Sequence, residues 1–144
     1  MRYRIIPALV VSAISLALVT VAQAQQPAAA DSSRAVAAAR TWLMLVDSGR
    51  WQVSVDSASD LFRRIVGSPA NWQQFATTAR ARYPVSGERT LVAWEPSFSP
   101  EGAPDGRYAR ATFEVKGTHT TRESIVLVLT PSGWRVAMYG ITGG

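Results

Sequence analysis

The sequence predicts an α+β domain in which three N-terminal helices pack on a four-stranded antiparallel curved sheet. Three observations carry that prediction. Apolar residues recur three and four apart between Ala35 and Ala79, the period of one helical face. From Arg89 onward the apolar period becomes two, as in half-buried strands. The turn signals between these later segments are short and rich in Gly, Pro and Ser, which suits antiparallel neighbours and leaves no room for crossover helices.

The chain opens with MRYR, two positive charges, followed by the apolar run IIPALVVSAISLALVTV and then Ala22-Gln23-Ala24, small residues at the positions a signal peptidase reads. A secretory signal peptide over 1–24 is expected, cleaved after Ala24, with the mature protein periplasmic or secreted. Pro7 and the Ala-x-Ala exit weigh against an uncleaved anchor, so no membrane association is expected after cleavage. Removing 24 of the 144 residues leaves 120, enough for one domain with one modest core. With no cysteine, packing alone must hold it. Fifteen Lys plus Arg stand against ten Asp plus Glu. Without Arg2 and Arg4 the excess is small and dispersed, unlike the concentrated basic face that nucleic acid requires.

QQPAAADSS reads as a flexible leader over 25–31, and the domain proper as 32–144, its first helix capped by Asp31 or Ser32. Val36, Ala39, Leu43 and Val46 form that helix's apolar stripe, widened by Ala35, Ala38, Trp42 and Leu45, and Asp47-Ser48-Gly49 stops it. In SVDSASDLFR, Asp56 and Asp60 lie four apart, a spacing that on one helical face could hold a cation or share a proton. Ser57 followed by Asp60 also matches a helix start, ahead of apolar Leu61, Phe62, Ile65 and Val66, and this reading is preferred because no dense acidic run completes a cation site. Ser68-Pro69 begins a third helix with Trp72, Phe75, Ala76 and Ala79 on one face, ending before Pro84.

The strands are expected at about Thr90–Phe98, Tyr108–Lys116, Arg122–Thr130 and Trp134–Thr142, joined by SPEGAPDG, GTHTT and PSG. Ala109, Ala111, Phe113 and Val115 should face the helices, opposite Tyr108, Arg110, Thr112, Glu114 and Lys116. Ile125, Leu127 and Leu129 join the inner face, with Trp134, Val136 and Met138 from the last strand. That leaves Val126 and Val128 beside Ala137, Tyr139 and Ile141 on an apolar outer face, which predicts a homodimer interface at Val126, Val128, Tyr139 and Ile141.

The chemistry is limited. Zinc is excluded by the lack of cysteine and a single histidine, His119, which falls at a hairpin tip where a catalytic base is poorly oriented. No glycine loop of phosphate-binding type occurs. No catalytic residue, metal site or cofactor is therefore expected. A cavity between helices and sheet could still hold an acid with a raised pKa: Glu95, Glu123 and Asp56 are candidates, with Arg110, Arg135 or Arg63 to place an anion. For ligand binding the candidates are Trp94, Glu95, Glu123 and Arg110. The tryptophans read mainly as core: Trp42 and Trp72 lie on apolar helix faces and Trp134 opens a strand, while Trp51 and Trp94 are less clearly placed and either could instead line a pocket mouth.

Taken together, TWLMLVDSGRW, SVDSASDLFR, Trp72, GAPDGRY, Phe113, Glu123 and GWRVAMYGI resemble a bacterial family, domain of unknown function 4019 (DUF4019). The chain departs from the family pattern at Val55, where an aromatic residue is expected, and at its ITGG end. The resemblance implies an exported domain with a cone-shaped fold similar to the nuclear-transport-factor-2 (NTF2-like) and cystatin-like group, and it supplies no catalytic residues. The function so read is a non-enzymatic exported domain that binds a partner protein, a second copy, or a small apolar ligand. The rival reading is a small cavity enzyme of isomerase or hydrolase type using one buried carboxylate.

Overall fold

The computed structural model describes residues 20–97 and 99–144, with side chains from Asp31 onward. Most of the expected signal peptide lies outside the described residues. The first helix, α1, runs Thr20–Asp47. It passes through the residues read as a leader, so Asp31 and Ser32 are interior positions, not its start. Alanine and glutamine are strong helix formers, and Ala-Gln-rich sequence extends the helix N-terminally where no breaker but Pro27 intervenes. Its expected stripe is buried: Ala35, Ala39, Trp42, Leu43 and Val46. It stops where expected, at a Gly49 with φ of 69°, and Arg50 N donates to Leu45 O at 2.9 Å.

A short helix that sequence periodicity does not reveal, α2, spans Trp51–Asp56. It has no side-chain cap, and tertiary bonds hold it: Trp42 Nε1 donates to Ser54 O at 2.8 Å and Trp72 Nε1 to Ser54 Oγ at 3.1 Å. Asp56 therefore ends one helix while Asp60 begins the next, α3, Asp60–Val66. The cap of α3 is Ser59, not the expected Ser57: Phe62 N donates to Ser59 Oγ at 3.2 Å. Helix α4, Pro69–Arg82, is capped by Ser68 as expected, with Asn71 N donating to Ser68 Oγ at 3.1 Å.

The strands β1 (Arg89–Ser97), β2 (Tyr108–Lys116), β3 (Thr120–Thr130) and β4 (Gly133–Gly143) form an antiparallel meander in sequence order, a curved, unclosed sheet with the helices on one face. The α+β architecture is the expected one, with four helices instead of three. Ala109, Ala111, Phe113, Val115, Ile125 and Leu127 are buried on the helix side. Trp42, Phe62 and Trp72 form the aromatic centre of the core, each pair of ring centroids 5.2 to 5.4 Å apart.

Strand β4 corrects the expected faces. Val126 pairs with Met138 and Leu127 with Val136, so Ala137 is an extra residue and the register shifts by one. Beyond it every side chain changes face: Met138 turns outward, while Tyr139 and Ile141 turn inward opposite Ile125 and Glu123. The four residues read as one dimer patch are thereby split. Val126 and Val128 stay outside, where the chain itself covers part of the face. Tyr108 and Val126 are buried there against Ala137, with Leu61 and Ala103 packed alongside, and the Tyr108 hydroxyl donates to Pro104 O at 2.8 Å.

Candidate functional site

Glu123 sits on the inner phase of β3, between Thr121 and Ile125, and is fully buried at 0% exposure. An inward strand position occupied by a carboxylate demands partners, because an unpaired buried charge costs several kcal/mol. Three elements, β4, α4 and β1, supply them. The Tyr139 hydroxyl donates to Oε1 at 2.6 Å and Arg80 Nη2 to the same oxygen at 2.9 Å, while Arg89 Nε donates to Oε2. Both guanidinium groups also reach Asp47 at the end of α1, Arg80 Nη1 at 2.8 Å and Arg89 Nη2 at 2.8 Å. Two cations thus bridge two carboxylates and join α1, α4, β1, β3 and β4.

Burial pushes the Asp47 carboxyl up, but the hydrogen bond and charge of Arg89 and then those of Arg80 outweigh it and hold the group below its usual range. Burial and the neighbouring Glu123 charge push the Tyr139 phenol above its usual value against the pull of Arg80. Burial pulls both arginines down, and their carboxylate partners, with Tyr139 for Arg80, hold them above the ordinary value. With both Glu123 oxygens engaged, this cluster joins elements that are distant in sequence.

Tyr139 also reaches an apolar opening at the edge of the sheet. A half-open cleft of about 480 Å³ lies between α3, α4 and β4, floored by Trp72, Phe62 and Tyr139 and walled by Ile65, Val66, Phe75 and Met138, with Asn71 at its margin. Phe75 and Ile65 are 50% and 56% exposed, and Phe75 stacks on Trp72 at 5.9 Å. Helix α3 carries Phe62 on its buried side and Ile65 toward the opening. Sequence periodicity marks both as core and does not distinguish a packed face from an open one.

A second cavity of about 420 Å³ opens between α1 and the β1–β2 loop. Trp94 and Trp134 meet edge to face at 6.4 Å in its wall, and Arg107 pairs with Asp31 at 2.7 Å across its mouth. Trp134 Nε1 is buried with no hydrogen-bond partner among the described residues.

The sequence-derived candidates do not converge. Trp94 packs against the core and lines the second cavity. Glu95 and Arg110 face each other across an exposed β1–β2 rung on the outer surface, and Glu123 lies in the charge cluster. Asp56 accepts from Gln52 at 2.9 Å, Asp60 pairs with Arg63, and Arg135 donates to Ser57 O at 2.9 Å. Those three contacts are structural. His119 is exposed in the β2–β3 turn, and Trp51 packs edge to face on Trp72 at 6.5 Å instead of opening a pocket. Asp47, Arg80 and Arg89 escaped the sequence reading. The signal available was Glu123 itself, an acid in apolar phase that must find cations somewhere.

The family described as a protein of unknown function, DUF4019, matches residues 38–139. No curated protein and no solved structure matches the chain.

Proposed function

The chain belongs to the DUF4019 family, and we propose that it acts as a non-catalytic binding domain whose site is the cleft between α3, α4 and β4, taking a small apolar ligand. The observation that carries this reading is the pairing of a stable aromatic floor with half-exposed apolar walls. Trp72 is buried and doubly anchored, while Phe75 and Ile65 leave large apolar surface in water. Such surface on a small domain favours an occupant by about 25 cal/mol for each Å² it covers. The complete burial of Glu123 behind three donors of its own chain supports a binder over a carboxylate enzyme, since a general base must come within hydrogen-bond reach of its substrate.

The test is a titration with N-phenyl-1-naphthylamine, a neutral apolar fluorophore. Saturable binding of one probe per chain is expected, weakened on the order of tenfold by Ile65→Ser with Phe75→Ser, two half-exposed positions, with the far-ultraviolet circular dichroism of the variant compared with the parent to show that it is folded. Absence of saturable binding, or equal binding by the double variant, rejects the cleft as the site.

Export belongs to the same proposal and rests on the charged start, apolar run and Ala22-Gln23-Ala24 of the sequence. Protein recovered from its cells should have an intact mass that begins at Gln25. A mass that includes Met1 to Ala24 would rule the cleavage out.

A further inference from the structure

The geometry points to an amphipathic carboxylate as the ligand, its alkyl body against Phe75 and its head on the Arg82 guanidinium; this rests on the cleft-binding reading above. The cleft does not end at Phe75. A shallower groove of about 440 Å³ continues along α4 past Thr78 and Ala79 to Arg82, and it shares Asn71 and Phe75 with the cleft. Asn71, Phe75, Thr78 and Arg82 follow one another at spacings of four, three and four, so they line one face of the helix. Phe75 and Arg82 are seven residues apart, about 10 Å along the axis. An alkyl chain lying in the cleft therefore meets a cation about two turns further on.

The charge around this track has one sign. Helix α4 contains no acidic residue, and the one acid of α3, Asp60, is taken by Arg63. Arg80 is neutralised by Asp47 and Glu123. Arg82 is exposed, has no carboxylate partner among the described residues, and rests over the Tyr83 ring at 5.5 Å. In the last turn of α4 it complements the helix dipole, and with its face over the Tyr83 ring its in-plane N–H donors remain available. A guanidinium matches a carboxylate in shape and charge, two parallel N–H groups to two oxygens, and a single cation balances a single negative charge. An apolar groove leading to one unpaired arginine thus selects against a neutral chain and against a cationic amphiphile.

The experiment displaces N-phenyl-1-naphthylamine from the full chain with dodecanoate, dodecanol and dodecyltrimethylammonium, each below its aggregation limit, and repeats the series on Arg82→Gln and Arg82→Lys. Dodecanoate should bind on the order of tenfold more tightly than dodecanol, the factor that one modest ionic contact supplies. Arg82→Gln should erase that preference while leaving dodecanol affinity unchanged, and Arg82→Lys should restore part of it. Equal affinities for dodecanoate and dodecanol, or a carboxylate preference that survives Arg82→Gln, would overturn the proposal and leave the apolar cleft standing. Loss of probe binding by the unaltered chain would instead remove the cleft itself.

Discussion

Glu123 illustrates how one residue organises distant ones. Its strand phase is legible, since Ile125 and Leu127 on the same face are plainly core, and an inward acid signals a buried charge. Its partners are not legible, because Arg80 and Arg89 lie 43 and 34 residues away in sequence and no local period encodes their approach. The cluster's energetics follow from burial: removing the carboxylate leaves two mostly buried guanidinium groups sharing Asp47 alone. Glu123→Gln is expected to destabilise the fold by about 3 kcal/mol in urea denaturation, near the lower figure for breaking a buried pair. A loss under 1 kcal/mol would show that solvent compensates the arginines.

At the scale of elements, caps and registers decide which residues meet. Two serines precede α3, and only Ser59 has the extended backbone and the hydrogen bond of a cap. Its own N–H donates to Val136 O at 2.9 Å, tying the start of α3 to the edge strand. Ser59→Ala should therefore cost about 1 kcal/mol in chemical denaturation, and Ser57→Ala no more than a few tenths. The reverse ranking would restore Ser57 as the cap. Sequence spacing favoured Ser57 because Asp60 stands three residues on, but Asp60 is already the first helical residue and pairs with Arg63. The extra residue at Ala137 works similarly. Period-two reading carries one phase along the whole of β4, and a single inserted residue reverses it from Met138 onward. That reversal sends Tyr139 to Glu123 and to the floor of the cleft. Helix α2 escaped notice because six residues without a cap hold no periodic signal, and Ser54 is helical through its bonds to Trp42 and Trp72.

For the whole molecule, the charge cluster sets the pH range of stability. Asp47 has a folded value below its ordinary 3.8, so its contribution is complete above that pH and is lost as pH falls through the lower folded value. Tyr139 has a folded value above its ordinary 10.0, so the fold is unaffected below pH 10 and weakens as the unfolded chain's phenol ionises above it. Thermal melting should show a plateau with an acid limb and an alkaline limb. Asp47→Asn should flatten the first and Tyr139→Phe the second, each at the cost of a lower plateau, since each removes a bond to the cluster. An acid limb unchanged in Asp47→Asn would place the sensitive group elsewhere.

Sequence by itself determined the class of this fold, the succession of helices and then a four-strand meander, the limits of α4 and of all four strands to within two residues, and the inner face of β2. These are properties of hydrophobic period and turn chemistry, which act between near neighbours. Tertiary structure alone decided that Glu123 joins Asp47, Arg80 and Arg89, that Tyr139 faces inward, and that Phe75 and Ile65 border an opening where periodicity implied a filled core. Each of these depends on which surfaces meet after the chain has turned back on itself, and a pattern of neighbours along the chain holds no record of that meeting.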